Sequence, residues 1–305
     1  MTTSTSVGCA RTSVGFTPIS DLGTRTYNGQ AGGLYPNGSN TRPASHESAG
    51  LARARAIVPL DRDGQPDPNG QYVLVSIGMS NTTQEFSVFK TLADADPTRD
   101  RHLTIVDGAQ GGQTAQAWSS AGCSCWTTLG DRLTSAGVTA AQVSVAWIKE
   151  ADASPTSGWP THASALEDEL AAILSVAAVR FPNLRLVYLS SRIYGGYAVG
   201  SLNPEPYAYE GGFAVKWLIE DQLRGAGGLA YATDNSAGSV AWIAWGPYLW
   251  ADGLIPRSDG LTWGCSDLSS TDGTHPSATG QRKVADMLLA FFRTDSTARA
   301  WYLNR

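Results

Sequence analysis

Short apolar runs and stretches of helical periodicity alternate along the chain from residue 71 onward. The runs are rich in Val, Ile and aromatic residues with little polar alternation, which is typical of strands buried on both faces; they span 72–77, 103–106, 143–148, 184–189 and 240–245. A helical pattern follows each run, at 83–93, 126–136, 162–180, 213–224 and 277–293. In the third of these helices apolar residues recur on one face, which predicts a single buried stripe: Leu166, Leu170, Ile173, Leu174 and Ala177.

This alternation predicts an α/β protein with a five-stranded, mainly parallel sheet and helices on both of its faces. Right-handed connections between parallel strands then give a three-layer α/β/α sandwich. Sheets of this kind bind ligands beyond the carboxyl ends of their strands. We therefore expect the catalytic or ligand-binding residues in the segments that directly follow the predicted strands.

The first 70 residues have a different character. They are rich in Gly, Pro, Ser and Asn, and turn-forming pairs such as Gly32-Gly33 and Asn69-Gly70 recur. Turn-forming residues in such numbers predict a loop region without a periodic element, that is, without a helix or strand pattern. We expect a single domain over residues 1–305, with a core at 71–293 and residues 1–70 as an extension that pads the sheet edge, lines the pocket or joins a subunit interface.

Composition and charge exclude several classes of protein. Apolar residues make up 42% of the 305 residues and charged residues 16%, which indicates a folded chain and not a disordered one. No apolar run approaches the roughly 18 residues of a membrane span, so no membrane association is expected. The net charge is −5 and the four lysines are scattered, whereas a nucleic-acid surface needs clustered basic residues.

The cysteines allow limited conclusions. Cys9, Cys123, Cys125 and Cys265 lack the paired spacing and the interleaved histidines of a metal site, so no metal is predicted. A single residue separates Cys123 from Cys125, which is an awkward spacing for a mutual disulfide; the connectivity stays open. An even cysteine count and low charge favour a secreted or periplasmic protein, although no signal peptide is visible at the N-terminus.

Three polar groups follow predicted strands or precede the last predicted helix. Ser80 lies in the turn after the first strand, a glycine turn at 107–113 follows the second, and Asp272 stands three residues before His275. An Asp can hold the Nδ1 proton of such a histidine and leave Nε2 free as a base. Taken singly, each group also has an ordinary explanation: a helix cap, a βα turn or a solvated side chain. Of the four histidines, only His275 is placed where chemistry can use it.

Together and in this order, these groups resemble the SGNH (GDSL-like) hydrolases. The Gly-Met-Ser-Asn sequence at 78–81 is similar to the Gly-Gln-Ser-Asn variant of the sialate O-acetylesterase-like branch, with Met79 in the Gln position. The family is described by short sequence motifs called blocks. Gly111 or Gly112 matches the glycine of its second block, and Asp272 with His275 matches its fifth block. The resemblance covers roughly 71–293 and implies a flavodoxin-like fold.

The third block departs from the family. The acetylesterase-like branch has Gln-Gly-Glu-x-Asp there, whereas this chain has Ile148-Lys149-Glu150-Ala151-Asp152. Glu150 and Asp152 align, but the Gln that donates to the oxyanion is replaced by Ile148. Lys149 could take over that role, or it could form an ordinary solvated pair with Glu150. Gln110 and Gln113 are further donor candidates.

The resemblance implies a serine ester hydrolase that needs no cofactor. Ser80 would attack the carbonyl, His275 would accept its proton and Asp272 would orient the imidazole. The oxyanion would be bound by the N–H groups of Ser80 and of Gly111 or Gly112, with Lys149. We expect a short acyl group, acetyl above all, on a small-molecule or carbohydrate ester; the predicted substrate-binding residues are Asn81, Gln110, Glu150, Arg192 and Tyr194.

Two other functions compete with this hypothesis. A carbohydrate-binding module that kept the fold with impaired catalysis would explain the altered third block. A glycosidase or lyase could use Glu150 and Asp152 as a carboxylate pair, although carboxylates two residues apart rarely span the required gap of about 5–9 Å. The oligomeric state is not predicted from the sequence.

Overall fold

A computed structural model describes residues 8–231 and 239–304. In these two stretches the strands are β1 (Thr26–Tyr27), β2 (Gln30–Ala31), β3 (Tyr72–Gly78), β4 (Leu103–Val106), β5 (Val143–Lys149), β6 (Leu186–Leu189) and β7 (Trp242–Trp245). The α-helices are α1 (Ile19–Leu22), α2 (Ala44–Arg55), α3 (Ser80–Asp94), α4 (Ala115–Trp118), α5 (Ser124–Ser135), α6 (Thr161–Arg180), α7 (Tyr207–Arg224), α8 (Ala278–Thr294) and α9 (Ser296–Tyr302). No helix in these stretches is long and apolar enough to cross a membrane.

The five long strands form one parallel sheet in the order β4-β3-β5-β6-β7. This is the flavodoxin-like order, in which β4, the second strand of this sheet along the chain, lies at an edge and β3, the first, lies inside. Nearly every strand residue is buried, as expected when helices cover both faces of a sheet. The predicted α/β class, with its five parallel strands, is confirmed.

The predicted helices are present, with shifted ends. The largest shift is in α7, which begins at Tyr207 and not at residue 213. Gly211 and Gly212 both lie inside the helix. A Cβ atom at Gly212 would lie 2.7 Å from the Cδ1 atom of Ile19, so the glycine lets the N-terminal segment pack closely against α7.

The expectation that residues 1–70 lack a periodic element is wrong for Ala44–Arg55. This α2 helix packs on α9 and on strands β6 and β7. The His46 ring is buried and donates from Nε2 to the carbonyl of Ile243 over 2.8 Å, while the Trp242 indole donates to the carbonyl of His46. Small residues line the buried side of this helix, and Gly50 packs against the Trp242 ring. The helix therefore lacks the stripe of large apolar residues from which a sequence pattern would predict it.

The N-terminal segment is also attached to loops that follow β7. Cys9 forms a disulfide with Cys265, and the Asp252 carboxylate accepts hydrogen bonds from the Ser13 hydroxyl and from the backbone N–H of Val14. The single-domain organisation stays a prediction, which these contacts support. The expectation against a bond between Cys123 and Cys125 is wrong: the two form a disulfide at the start of α5.

The two disulfides should contribute very differently to stability. Cys9 and Cys265 are 256 residues apart, whereas Cys123 and Cys125 are 2 apart, and a cross-link restricts the unfolded chain more when it closes a longer loop. We expect Cys9→Ser/Cys265→Ser to lower the free energy of unfolding by about 2–5 kcal/mol in urea titrations. The matched Cys123→Ser/Cys125→Ser variant should lose much less; equal losses would contradict this account.

Candidate active site

The turn between β3 and α3 places Ser80 at the carboxyl edge of the sheet. Strand β3 ends at Gly78 and helix α3 begins at Ser80, with only Met79 between them. A Cβ atom at Gly78 would lie 2.5 Å from the Thr82 side chain, so this tight turn needs glycine. As the first residue of α3, Ser80 has a backbone N–H that the helix's own bonding pattern leaves free, at the positive end of the helix dipole.

A chain of hydrogen bonds joins Ser80 to the C-terminal loop. Ser80 Oγ lies 2.8 Å from His275 Nε2, and His275 Nδ1 lies 2.7 Å from Asp272 Oδ2. A carboxylate only accepts hydrogen bonds, so we assign the imidazole proton to Nδ1. Nε2 is then an acceptor for the serine hydroxyl, which is the arrangement in which a serine can be activated as a nucleophile.

Backbone groups hold Asp272 in its ionised form. Its Oδ1 atom accepts hydrogen bonds from the N–H groups of Thr274 and His275, at 2.8 and 2.9 Å. Partial burial alone would raise the pKa of Asp272, but these two N–H groups and the imidazole outweigh it, so that the pKa lies below its usual value. The carboxylate therefore remains available to orient the histidine.

The glycine turn after β4 lies beside Ser80. A Cβ atom at Gly111 would lie 3.8 Å from Ser80 Cβ, whereas one at Gly112, where φ is +77°, would meet nothing within 4 Å. Of the two predicted oxyanion glycines, Gly111 is thus the one next to the serine. The Gln110 N–H donates to the carbonyl of Gly78 over 2.9 Å, which fixes the turn against the end of β3. The Gln110 side chain donates to the carbonyls of Gly108 and Cys125, so it serves the loop and not a substrate.

The structure corrects the role expected for Lys149. Its side chain is fully buried, and Nζ lies 2.5 and 2.7 Å from the two carboxylate oxygens of Glu85 on α3. Burial lowers the pKa of Lys149 to about 8, against the attraction of Glu85, and burial also raises the pKa of Glu85. Lys149 is neither an oxyanion donor nor a solvated partner of Glu150. It anchors the helix that begins with Ser80 to the end of β5.

A small cavity of about 40 Å³ opens beside the serine and the histidine. Of the five predicted substrate-binding residues, only Arg192 lines it, and that side chain is 4% exposed. Asn81 and Glu150 are buried away from it. The Tyr194 ring packs against Tyr197, and its hydroxyl donates to the carbonyl of Arg11, so it belongs to the core.

Asp152, which the sequence aligned with the third block, lines this cavity. The sequence did not single out four other lining residues, which come from three loops: Ala153, Leu202, Asn203 and Thr274. Asn203 has a left-handed backbone with φ of 61°, which costs free energy for a residue other than glycine and is common at functional sites. The Asn-Pro pair at 203–204 indicates a turn, and nothing in that pair indicates which site the turn would reach.

No protein-family profile matches this chain, and no curated protein matches it either. Solved structures that it resembles include the YxiM protein of Bacillus subtilis, at 10% identity and a TM-score of 0.43 over 75% of this chain and 58% of that protein. A family 3 carbohydrate esterase from Talaromyces cellulolyticus has 13% identity and a TM-score of 0.40, over 72% of this chain and 94% of the esterase. An extracellular lipase from Streptomyces rimosus has 13% identity and a TM-score of 0.36, over 72% of this chain and 99% of the lipase. Less than two thirds of the Bacillus protein is matched. At these values the likeness concerns the fold, and we take no substrate from it.

Breaking the buried ion pair should be costly. Lys149→Met leaves the carboxyl group of Glu85 buried without its partner, and we expect it to lower the free energy of unfolding by about 3–5 kcal/mol. The Lys149→Met/Glu85→Leu variant removes both charges and should recover most of that loss. Urea titrations followed by Trp fluorescence measure both. A single variant as stable as wild type would show that the pair does not anchor α3.

Proposed function

We propose that this protein is a serine ester hydrolase that releases short acyl groups, acetyl above all, from small-molecule or carbohydrate esters. The observation that carries the proposal is the continuous hydrogen-bonded chain Ser80–His275–Asp272 at the mouth of a cavity. Serine, imidazole and carboxylate in this order form an activated nucleophile with its base and its orienting group.

In the proposed reaction Ser80 Oγ attacks the ester carbonyl while its proton passes to His275 Nε2. The negative charge that develops on the carbonyl oxygen is stabilised by the free N–H of Ser80 and that of Gly111. His275 then returns the proton to the leaving alcohol, and the acyl group stays on Ser80. A water molecule, deprotonated by the same imidazole, releases the acid and restores the serine. This sequence uses no metal or organic cofactor.

The dimensions of the catalytic cavity support a short acyl group. At about 40 Å³ the cavity leaves little room for a long acyl chain. Arg192 and Thr274 line the cavity together with Leu202. Burial lowers the pKa of Arg192, yet guanidinium groups remain charged in proteins, and we propose that it contacts the carbonyl oxygen or the acyl group.

The carboxylate alternative has little support at this site. Glu150 is 3% exposed and lies outside the cavity. Burial raises the pKa of Glu150 well above its usual value, and only Asp152 of the two carboxyl groups faces the cavity. We further propose that the protein works outside the cytoplasm, which the pairing of all four cysteines in disulfides supports.

Hydrolysis of p-nitrophenyl acetate tests the proposed nucleophile. We expect turnover by wild type and at least a roughly thousandfold loss of kcat in Ser80→Ala, because the acyl-enzyme can no longer form. Glu150→Gln is the matched control and should retain activity. A wild type without activity would contradict the esterase and favour a binding module, and an active Ser80→Ala would exclude this serine as the nucleophile.

The pH dependence tests the proposed base. Only a neutral imidazole accepts the serine proton, so kcat/KM for p-nitrophenyl acetate should fall as His275 becomes protonated, with a limiting slope of about tenfold per pH unit. A pH profile in which kcat/KM does not fall on acidification would contradict general-base catalysis by His275.

A further inference from the structure

A second cavity adjoins the catalytic one. It measures about 130 Å³ and shares two lining residues with the first, Asp152 and Asn203. Its other walls come from the loop before α6, from α6 itself and from the start of α7; the polar ones are Thr156, Ser157, His162 and Tyr207. The proposed mechanism uses none of these side chains.

Two nearly buried side chains of this cavity have unused hydrogen-bonding atoms. Asn203 is 5% exposed, and its amide nitrogen donates to the carbonyl of Asp152 over 3.2 Å. Its Oδ1 atom has no hydrogen-bond partner among the described residues. The His162 ring also lines the cavity, and its Nδ1 atom likewise lacks a partner in the described part of the chain. Buried polar atoms without partners are rare in native proteins and need an explanation.

Two carboxylates beside these groups are fixed by their own hydrogen bonds. His162 Nε2 lies 3.0 Å from Glu210 Oε2, but neither atom has a hydrogen-bond partner among the described residues. The Tyr27 hydroxyl donates to the other oxygen of Glu210 over 2.5 Å. Asp152 Oδ1 accepts from the Gln116 N–H. Asp152, which lines both cavities, therefore offers them a carboxylate that is held by a backbone hydrogen bond.

We infer that the second cavity binds the alcohol part of the ester, and that this alcohol is a sugar ring with free hydroxyl groups. At about 130 Å³ the second cavity is about three times as large as the catalytic one, which suits an alcohol larger than the acyl group. The carboxylate, amide, imidazole and hydroxyl groups of the walls match the hydroxyls of a sugar, whereas an alkyl chain would leave them without hydrogen bonds at a cost. Leu166 and Tyr207 supply apolar surface for the C–H face of the ring.

The inference rests on the proposed function, and the experiment separates the two. We compare kcat/KM for methyl acetate, whose alcohol is too small to reach the second cavity, with that for a mixture of mono-O-acetyl esters of methyl glucoside. Two variants narrow the cavity from different walls, Ala165→Trp on α6 and Ser157→Trp on the preceding loop. Both positions are exposed, so neither substitution disturbs the core. Ala290→Trp, at an exposed position on α8, is the matched control.

We expect each blocking variant to lower kcat/KM for the sugar esters at least tenfold more than for methyl acetate, and Ala290→Trp to leave both unchanged. Equal losses on the two substrates, or no loss on the sugar esters, would overturn the inference. A wild type that hydrolyses methyl acetate but not the sugar esters would overturn it while the proposed function stands. A wild type that hydrolyses neither would overturn both.

Discussion

The hydrogen bond between Ser80 Oγ and His275 Nε2 is the contact on which the rest of the site depends. It joins residues that are 195 positions apart, and both must be placed independently to within a few tenths of an ångström. The parallel sheet makes this possible, because the carboxyl ends of its strands meet at one edge. Strand β3 fixes Ser80 through the turn at Gly78, and the loop before α8 fixes His275 through the backbone hydrogen bonds of Asp272.

Buried charges surround this contact and position its parts. The Lys149–Glu85 pair joins the end of β5 to the helix that begins with Ser80. A buried ion pair gains little net stability, because desolvation offsets most of the attraction, but it strongly disfavours any packing that separates the two charges. Arg192 brings a further buried positive charge to the wall of the cavity. The buried charges of Lys149, Glu85 and Arg192 therefore contribute more to the position of α3 and to the electrostatic potential in the cavity than to the stability of the fold.

The sequence predicts those parts of the fold and of the candidate site that leave a pattern in neighbouring residues. The five strands are apolar runs of distinct composition, and Ser80, Asp272 and His275 each lie directly beside a predicted element, so the topology brings them together. The partner of Lys149 could not be predicted, because Glu85 is 64 residues away and on the buried side of a helix. Helix α2 was not predicted because it contacts the sheet through small residues and His46, which leave no apolar stripe in the sequence. Asn203, in the loop before α7, and His162, in the first turn of α6, come together only through tertiary packing that no local pattern indicates.

The proposed function requires that an acyl group forms on Ser80 during turnover. The most direct measurement is mass spectrometry of the protein quenched in acid during turnover of p-nitrophenyl acetate, followed by peptide mapping. We expect the added mass of one acetyl group on the peptide that contains Ser80. Acetyl groups confined to lysines or to other serines, with turnover intact, would contradict the proposed function.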